Sequence, residues 1–162
     1  MAIAVYAGTF DPITNGHRDV VERAVKIFGK VFFAVAESPS KNPLFTVGER
    51  EELAKLSLAD LGGAVEVVSF SGLLVDLARK IGASVIVRGL RAVSDYEYES
   101  QMAVINRQLD PEIETVFLMT SKSSSFISSS IVRQVAMVNG DVSSMVPEPV
   151  NKALIHRFKP RS

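Results

Sequence analysis

Cysteine is absent from all 162 residues of the chain. Disulfides, thiolate catalysis and cysteine-based metal centres are thereby excluded. An excess of charge is missing too: Lys plus Arg and Asp plus Glu each total 18, for a formal net charge of zero. A general nucleic-acid or anionic-membrane binder would carry a basic surplus. Neither partner is expected, and any positive charge that matters must be local. No apolar run approaches the roughly 20 residues of a membrane-spanning helix. The amino terminus, MAIAVYAGTF, has no basic leader and soon meets Asp11, so it reads as a buried strand and not as a signal peptide. A soluble, cytoplasmic protein is expected.

Two familiar phosphate signatures are also lacking. No G-x-G-x-x-G follows the first strand, which removes support for a dinucleotide-dependent dehydrogenase. The nearest approach to a P-loop is Gly29-Lys30, but Val31 stands where Ser or Thr is required and Ala24 where the first Gly belongs. P-loop ATPases and kinases fall away with it.

What is present is a 47% hydrophobic composition at the length of one domain, enough for a single core over residues 1–162. Apolar runs at Ile3–Ala7, Val31–Ala36, Val65–Phe70, Ser84–Val87 and Thr115–Met119 read as five strands. Helical spacing fills the gaps. Val20, Val21, Ala24, Ile27 and Phe28 lead to Gly29 as a stop. Thr46 and Glu49 form a capping box before Leu53, Leu56 and Leu61. Leu73–Ile81 ends at Gly82, and Ser94 with Glu97 opens a second box before Tyr98, Met102, Ile105 and Leu109. One or two helices close the chain. This alternation predicts an α/β, Rossmann-like, doubly wound five-stranded parallel sheet with helices on both faces.

In such a sheet ligands bind beyond the carboxyl ends of the strands. The conspicuous polar clusters all fall on that edge: Thr9–His17, Ser38–Lys41, Ser71-Gly72, Arg88–Arg91 and Thr120–Ser130. In the first, GTFDPITNGH, a histidine stands in what should be the first turn of a helix. Gly16 allows close approach to the free N–H groups there, which attract phosphate. Thr9 offers a hydroxyl, and His17 can donate a hydrogen bond to charge developing on a phosphate oxygen. Lys41, Arg88 and Arg91 suit a clamp on phosphates, the arginines bidentate and the lysine as a point charge. Seven of the ten residues Ser121–Ser130 are serine, and a serine-rich helix start supplies hydroxyls and unpaired N–H groups to a triphosphate. Glu97 completes its capping box, while Glu99 is free to touch a ribose or an arginine. His156, beside Arg157 in the last helix, is read as surface.

These residues resemble a family. Gly8-Thr9-Phe10-Asp11-Pro12 with Thr14-Asn15-Gly16-His17 is similar to the first signature, (H/T)xGH, of the nucleotidyltransferase superfamily. Ile127-Ser128-Ser129-Ser130-Ile131-Val132-Arg133 is similar to its second, of the ISSSxxR type. Ser38-Pro39-Ser40-Lys41, Arg88-Gly89-Leu90-Arg91-Ala92 and Tyr96-Glu97-Tyr98-Glu99 resemble the bacterial adenylyltransferases that act on 4′-phosphopantetheine in coenzyme A synthesis. The resemblance covers nearly the whole chain. It implies that His17 stabilises the transition state, with Thr9, Lys41 and Arg91 also catalytic. It implies ATP contacts from Thr9, Phe10, His17, Gly89, Leu90, Arg91, Glu99, Ser124, Ser125, Phe126, Ile127, Ser128, Ser129 and Ser130. Thr9, Lys41, Leu74 and Arg88 are implied to hold 4′-phosphopantetheine. Mg²⁺ is implied to come with the nucleotide phosphates and not on protein side chains, and a homohexamer is the implied assembly. Family members often carry an aromatic residue where this chain has Ser124.

The expected reaction is adenylyl transfer from ATP to 4′-phosphopantetheine, giving dephospho-coenzyme A and pyrophosphate. The acceptor's own phosphate is the nucleophile, which suits a chain with neither cysteine nor a Ser–His–Asp pattern. The residues alone leave two alternatives open: a transferase with another phosphorylated acceptor, such as nicotinamide mononucleotide or glycerol phosphate, and a nucleotide-binding module without turnover.

Overall fold

A computed structural model describes residues 1–37, 42–91 and 93–159. The five strands are β1 (Ile3–Gly8), β2 (Lys30–Ala36), β3 (Val65–Phe70), β4 (Val85–Leu90) and β5 (Glu114–Met119). They form one all-parallel sheet in the order β3-β2-β1-β4-β5. The chain steps outward from β1 to β3, then crosses back to lay β4 on the other side of β1. That reversal is the switch point where an α/β sheet opens a crevice.

Both faces of the sheet are covered, as the continuous apolar runs require. Ala4 and Tyr6 of β1, with Val31, Phe33 and Val35 of β2, pack under α1 (Asn15–Phe28), α2 (Val47–Leu58), α5 (Ser129–Met137) and α6 (Glu148–Arg157). Val5 and Ala7, with Ala34 and Ile86, face α3 (Leu74–Ile81). Alternate side chains point to opposite faces because a strand has a period of two. Helix α4 (Val93–Leu109) packs on β4, β5 and α3. Among the described residues no helix is long and apolar enough to cross a membrane.

Several local expectations are corrected. Strand β4 runs three residues past Val87, so Arg88, Gly89 and Leu90 lie in the sheet and not in a loop; they pair with Phe117, Leu118 and Met119. An arginine is tolerated inside the strand because its charge is met there by a carboxylate. Ile27, Leu56, Ile105 and Leu109 are exposed, since the buried stripes are narrower than the apolar pattern. On α1 only Gly16, Val20, Val21 and Ala24 are fully covered. Helix α4 already runs from Val93, so Ser94 lies inside it and does not open it. The box on Thr46 and Glu49 forms as expected, both halves present.

Candidate active site

Thr14, an extended residue, caps α1. Its hydroxyl accepts from the His17 backbone N–H at 3.3 Å, and its own N–H donates to His17 Nδ1 at 3.0 Å. This is a capping box in which an imidazole takes the place usually held by a glutamate or glutamine. Two consequences follow. A backbone N–H can only donate, so Nδ1 must accept, and the ring's hydrogen resides on Nε2. Burial, with the charges of Arg91 and Arg88 nearby, pushes the ring's pKa down to about 3. The histidine is therefore a neutral donor of fixed tautomer at physiological pH. The first turn of a helix is where such a residue can be held by the cap residue's own N–H and hydroxyl, which answers why the polar stretch ends in a histidine.

His17 lines a cavity of about 330 Å3 at the carboxyl ends of β1 and β4. Of the residues expected at the site, Thr9, Phe10, Arg88, Gly89, Arg91, Glu99, Ile127, Ser128, Ser129 and Ser130 line it too. Gly89 lets α1 settle close over β4, for a Cβ there would lie 3.1 Å from Val20 Cγ2. Ser128 caps α5, accepting from Ile131 N at 3.1 Å, and Ser129 Oγ donates to the Pro12 carbonyl at 2.8 Å. The two signature segments are thus tied together at the cavity wall. Phe10 contributes little polar surface: its ring is buried, stacked on Phe33 with centroids 4.0 Å apart and edge-on to His17 at 4.9 Å.

Arg88 and Glu99 meet fork to fork, Nε to Oε2 at 2.9 Å and Nη2 to Oε1 at 2.8 Å, while Nη1 reaches the Ala7 carbonyl. Burial works against the charge on Arg88, but the hydrogen bonds and charge of Glu99 outweigh it and hold the guanidinium above its ordinary pKa. The pair also lines a second cavity of about 310 Å3, walled by Leu73, Leu74, Phe70, Tyr98 and Met102. The two cavities share this ion pair as a wall. Leu74 lies in the second, more apolar one.

Other expected residues lie elsewhere. Leu90 is buried in the sheet, Phe126 is 82% exposed, and Ser124 is buried in a short turn with its carbonyl accepting from Ile127 N. Ser125 Oγ donates to the Lys122 carbonyl. None of these four lines the cavity. Lys41 lies outside the described residues.

Sequence reading missed Tyr6 and Asp95 on the cavity wall, and it named Thr120 and Arg133, which also line it, only as members of a polar cluster and of the second signature. Burial pushes the Tyr6 phenol up, against the opposing pull of Arg88, so it stays protonated. Asp95 pairs with Arg91 Nε at 3.5 Å. Arg133 donates to the Asp11 carbonyl; it stands four residues after Ser129 and so on the same helix face, a spacing that was legible. Asp11, quoted in the first signature but given no role from the sequence, has a buried carboxylate that accepts from Leu44 N at 2.8 Å and Phe45 N at 3.0 Å, fastening the loop before α2.

Comparison with known proteins adds relatives to this geometry. Residues 5–135 match the family model described as cytidylyltransferase-like. A phosphopantetheine adenylyltransferase of Methylococcus capsulatus is 57% identical over 155 residues, 96% of this chain and 95% of its own. Another, of Alkaliphilus metalliredigens, is 53% identical over 154 residues, 95% of this chain and 98% of its own. A crystal structure of a candidate nicotinate-nucleotide adenylyltransferase from Vibrio parahaemolyticus superposes with a TM-score of 0.69 at 17% identity, covering 99% of this chain and 98% of that one. At that identity it speaks to fold alone.

Proposed function

From the premise that this chain belongs to the cytidylyltransferase-like family, and within it to the phosphopantetheine adenylyltransferases, we propose that it transfers the adenylyl group of ATP to 4′-phosphopantetheine. An acceptor phosphate oxygen attacks the α-phosphorus, the bond to the bridging oxygen of the β-phosphate breaks, and pyrophosphate leaves. The products are dephospho-coenzyme A and pyrophosphate, and no proton need be removed from the nucleophile. In the protein the observation that supports this most is the pair of cavities meeting at Arg88 and Glu99. The polar cavity, with His17 and Ser128–Ser130, takes the nucleotide. The apolar one, with Leu74, takes the pantetheine arm, and Arg88 at the junction meets the acceptor's phosphate.

His17 Nε2–H donates to an α-phosphate oxygen and is worth more as charge builds there. The amino-terminal turns of α1 and α5 add backbone donors and dipole. Holding two anions in line accounts for much of the remaining rate. Thr9 and Arg91 line the same wall and steady the phosphates, and Lys41 adds a point charge. Mg²⁺ fits as a companion of the triphosphate: the cavity's carboxylates, Asp95 and Glu99, are already paired with Arg91 and Arg88. Among the described residues no three His, Asp or Glu side chains converge. When bound, the ion would neutralise phosphate charge.

Pyrophosphate release on mixing the protein with Mg-ATP and 4′-phosphopantetheine tests the reading. Dephosphorylated pantetheine, which lacks the attacking phosphate, should give none; equal release with it would defeat the proposed nucleophile. A homohexamer in the cytoplasm completes the proposal. The exposed Tyr96, Tyr98, Val104, Ile105 and Leu109 of α4 support self-association. Light scattering that finds only monomer at micromolar concentration would overturn that assembly.

A further inference from the structure

Arg50, in the first half of α2, is 2% exposed, and no carboxylate pairs with it among the described residues. Its guanidinium serves three carbonyls instead: Nε donates to Phe45 O at 3.1 Å, and Nη1 to Thr9 O at 2.7 Å and Ala36 O at 2.8 Å. These oxygens lie just past β1, at the last residue of β2, and one residue before the cap of α2. Burying a cation is costly unless its hydrogen bonds are well placed, and apolar packing would fill the same space at lower cost. Stability alone does not account for an arginine here.

The Thr9 carbonyl begins the peptide to Phe10, whose φ of +48° lies in the left-handed region. A bulky residue persists there only when its surroundings hold it. Arg50 grips one side of that residue, and Phe33 stacks on its ring. The ring also meets Tyr6 edge-on at 5.2 Å and the His17 imidazole edge-on at 4.9 Å. A continuous path of contacts therefore runs from Arg50 through Thr9 and Phe10 to His17.

We propose that Arg50 is a positioning residue for adenylyl transfer, fixing Thr9 and Phe10 so that the His17 ring keeps its aim into the cavity. The kinetic part rests on the function proposed above; the effect on the ring does not.

Arg50→Lys tests it, because one ammonium on a flexible stem cannot span the three carbonyls as a planar fork does. Three quantities are read: single-turnover rate with both KM values, thermal unfolding, and the imidazole ¹⁵N shifts of His17, one of only two histidines in the chain. The expected result is a folded protein with kcat lower by about 10²-fold, KM for ATP little changed, and His17 nitrogen shifts displaced. Leu58→Ala, at a buried position of the same helix, serves as the purely structural comparison. It should unfold at lower temperature yet keep its rate per folded molecule and its histidine shifts. If Arg50→Lys does not fold, Arg50→Gln carries the same readouts. A wild-type rate per folded molecule, or unmoved His17 shifts, would overturn the proposal. If the unaltered protein releases no pyrophosphate, the functional reading falls, and the nitrogen shifts still decide the role of Arg50: displaced supports it, unmoved overturns it.

Discussion

Glu99 grips Arg88 through two parallel hydrogen bonds of 2.9 and 2.8 Å, and the pair stands where the two cavities meet. In the proposed reaction the acceptor's phosphate would have to share or displace that carboxylate. Arg88→Ala should raise KM for 4′-phosphopantetheine by about ten- to hundredfold, the worth of a charge-assisted hydrogen bond. KM for ATP should move far less. Initial-rate kinetics with each substrate varied in turn check this; equal loss of both affinities would place the arginine's role elsewhere.

His17→Ala removes the donor proposed to meet the α-phosphate. Loss of one such donor typically costs about 10²–10³ in kcat. ATP binding, measured by calorimetry, should change little, because the contact strengthens only as charge builds. A histidine that merely capped the helix would give a less stable protein with a normal rate per folded molecule.

Thr14→Ala acts one bond further back. It removes the hydroxyl that caps α1, an expected loss of about 1 kcal/mol by denaturant unfolding. It also removes the 3.2 Å contact between that hydroxyl and His17 Nδ1, so kcat should fall as well. Thr14→Ser keeps both contacts and should restore rate and stability together.

Acid should weaken the fold through the same ring. The pKa of His17 lies near 3 when folded and near 6.5 when unfolded. Between those values the unfolded chain binds a proton that the folded one refuses, so stability is full above about pH 6.5 and falls as pH drops toward 3. Unfolding by urea at pH 7.5 and pH 5 should therefore show a larger loss for the natural protein than for His17→Gln. Between pH 6 and 8 the rate should show no inflection from this imidazole.

Much of this was legible in the chain because it was local. The polar stretch that ends in Gly16-His17 ahead of the helical spacing marks the helix start, the apolar runs mark buried strands, and their order puts Thr9, His17, Arg88 and Ser128 on one edge. Distant pairings left no such trace. The length of β4 was misjudged because Arg88 looked like a strand-ending charge, and its partner Glu99 is 11 residues away on α4. Arg50 sits in Gly48-Glu49-Arg50-Glu51-Glu52, which reads as a solvated helix face, and only the sheet edge beneath it shows why it is buried. Phe10 is the expected ATP contact whose packing left no trace: it lines the cavity, yet its ring is buried against Phe33.

The shared wall between the cavities bears on how the enzyme lets go. In the proposed reaction each substrate occupies one side of Arg88 and Glu99, while the product is a single molecule lying across both. Its adenylate and pantetheine ends are tethered, so an end that detaches is recaptured before the other leaves, as with any bivalent ligand. Long residence of the product would make departure, and not bond formation, the slow event of the cycle. A rapid burst of pyrophosphate in the first turnover, followed by a slower steady rate, is its expected signature.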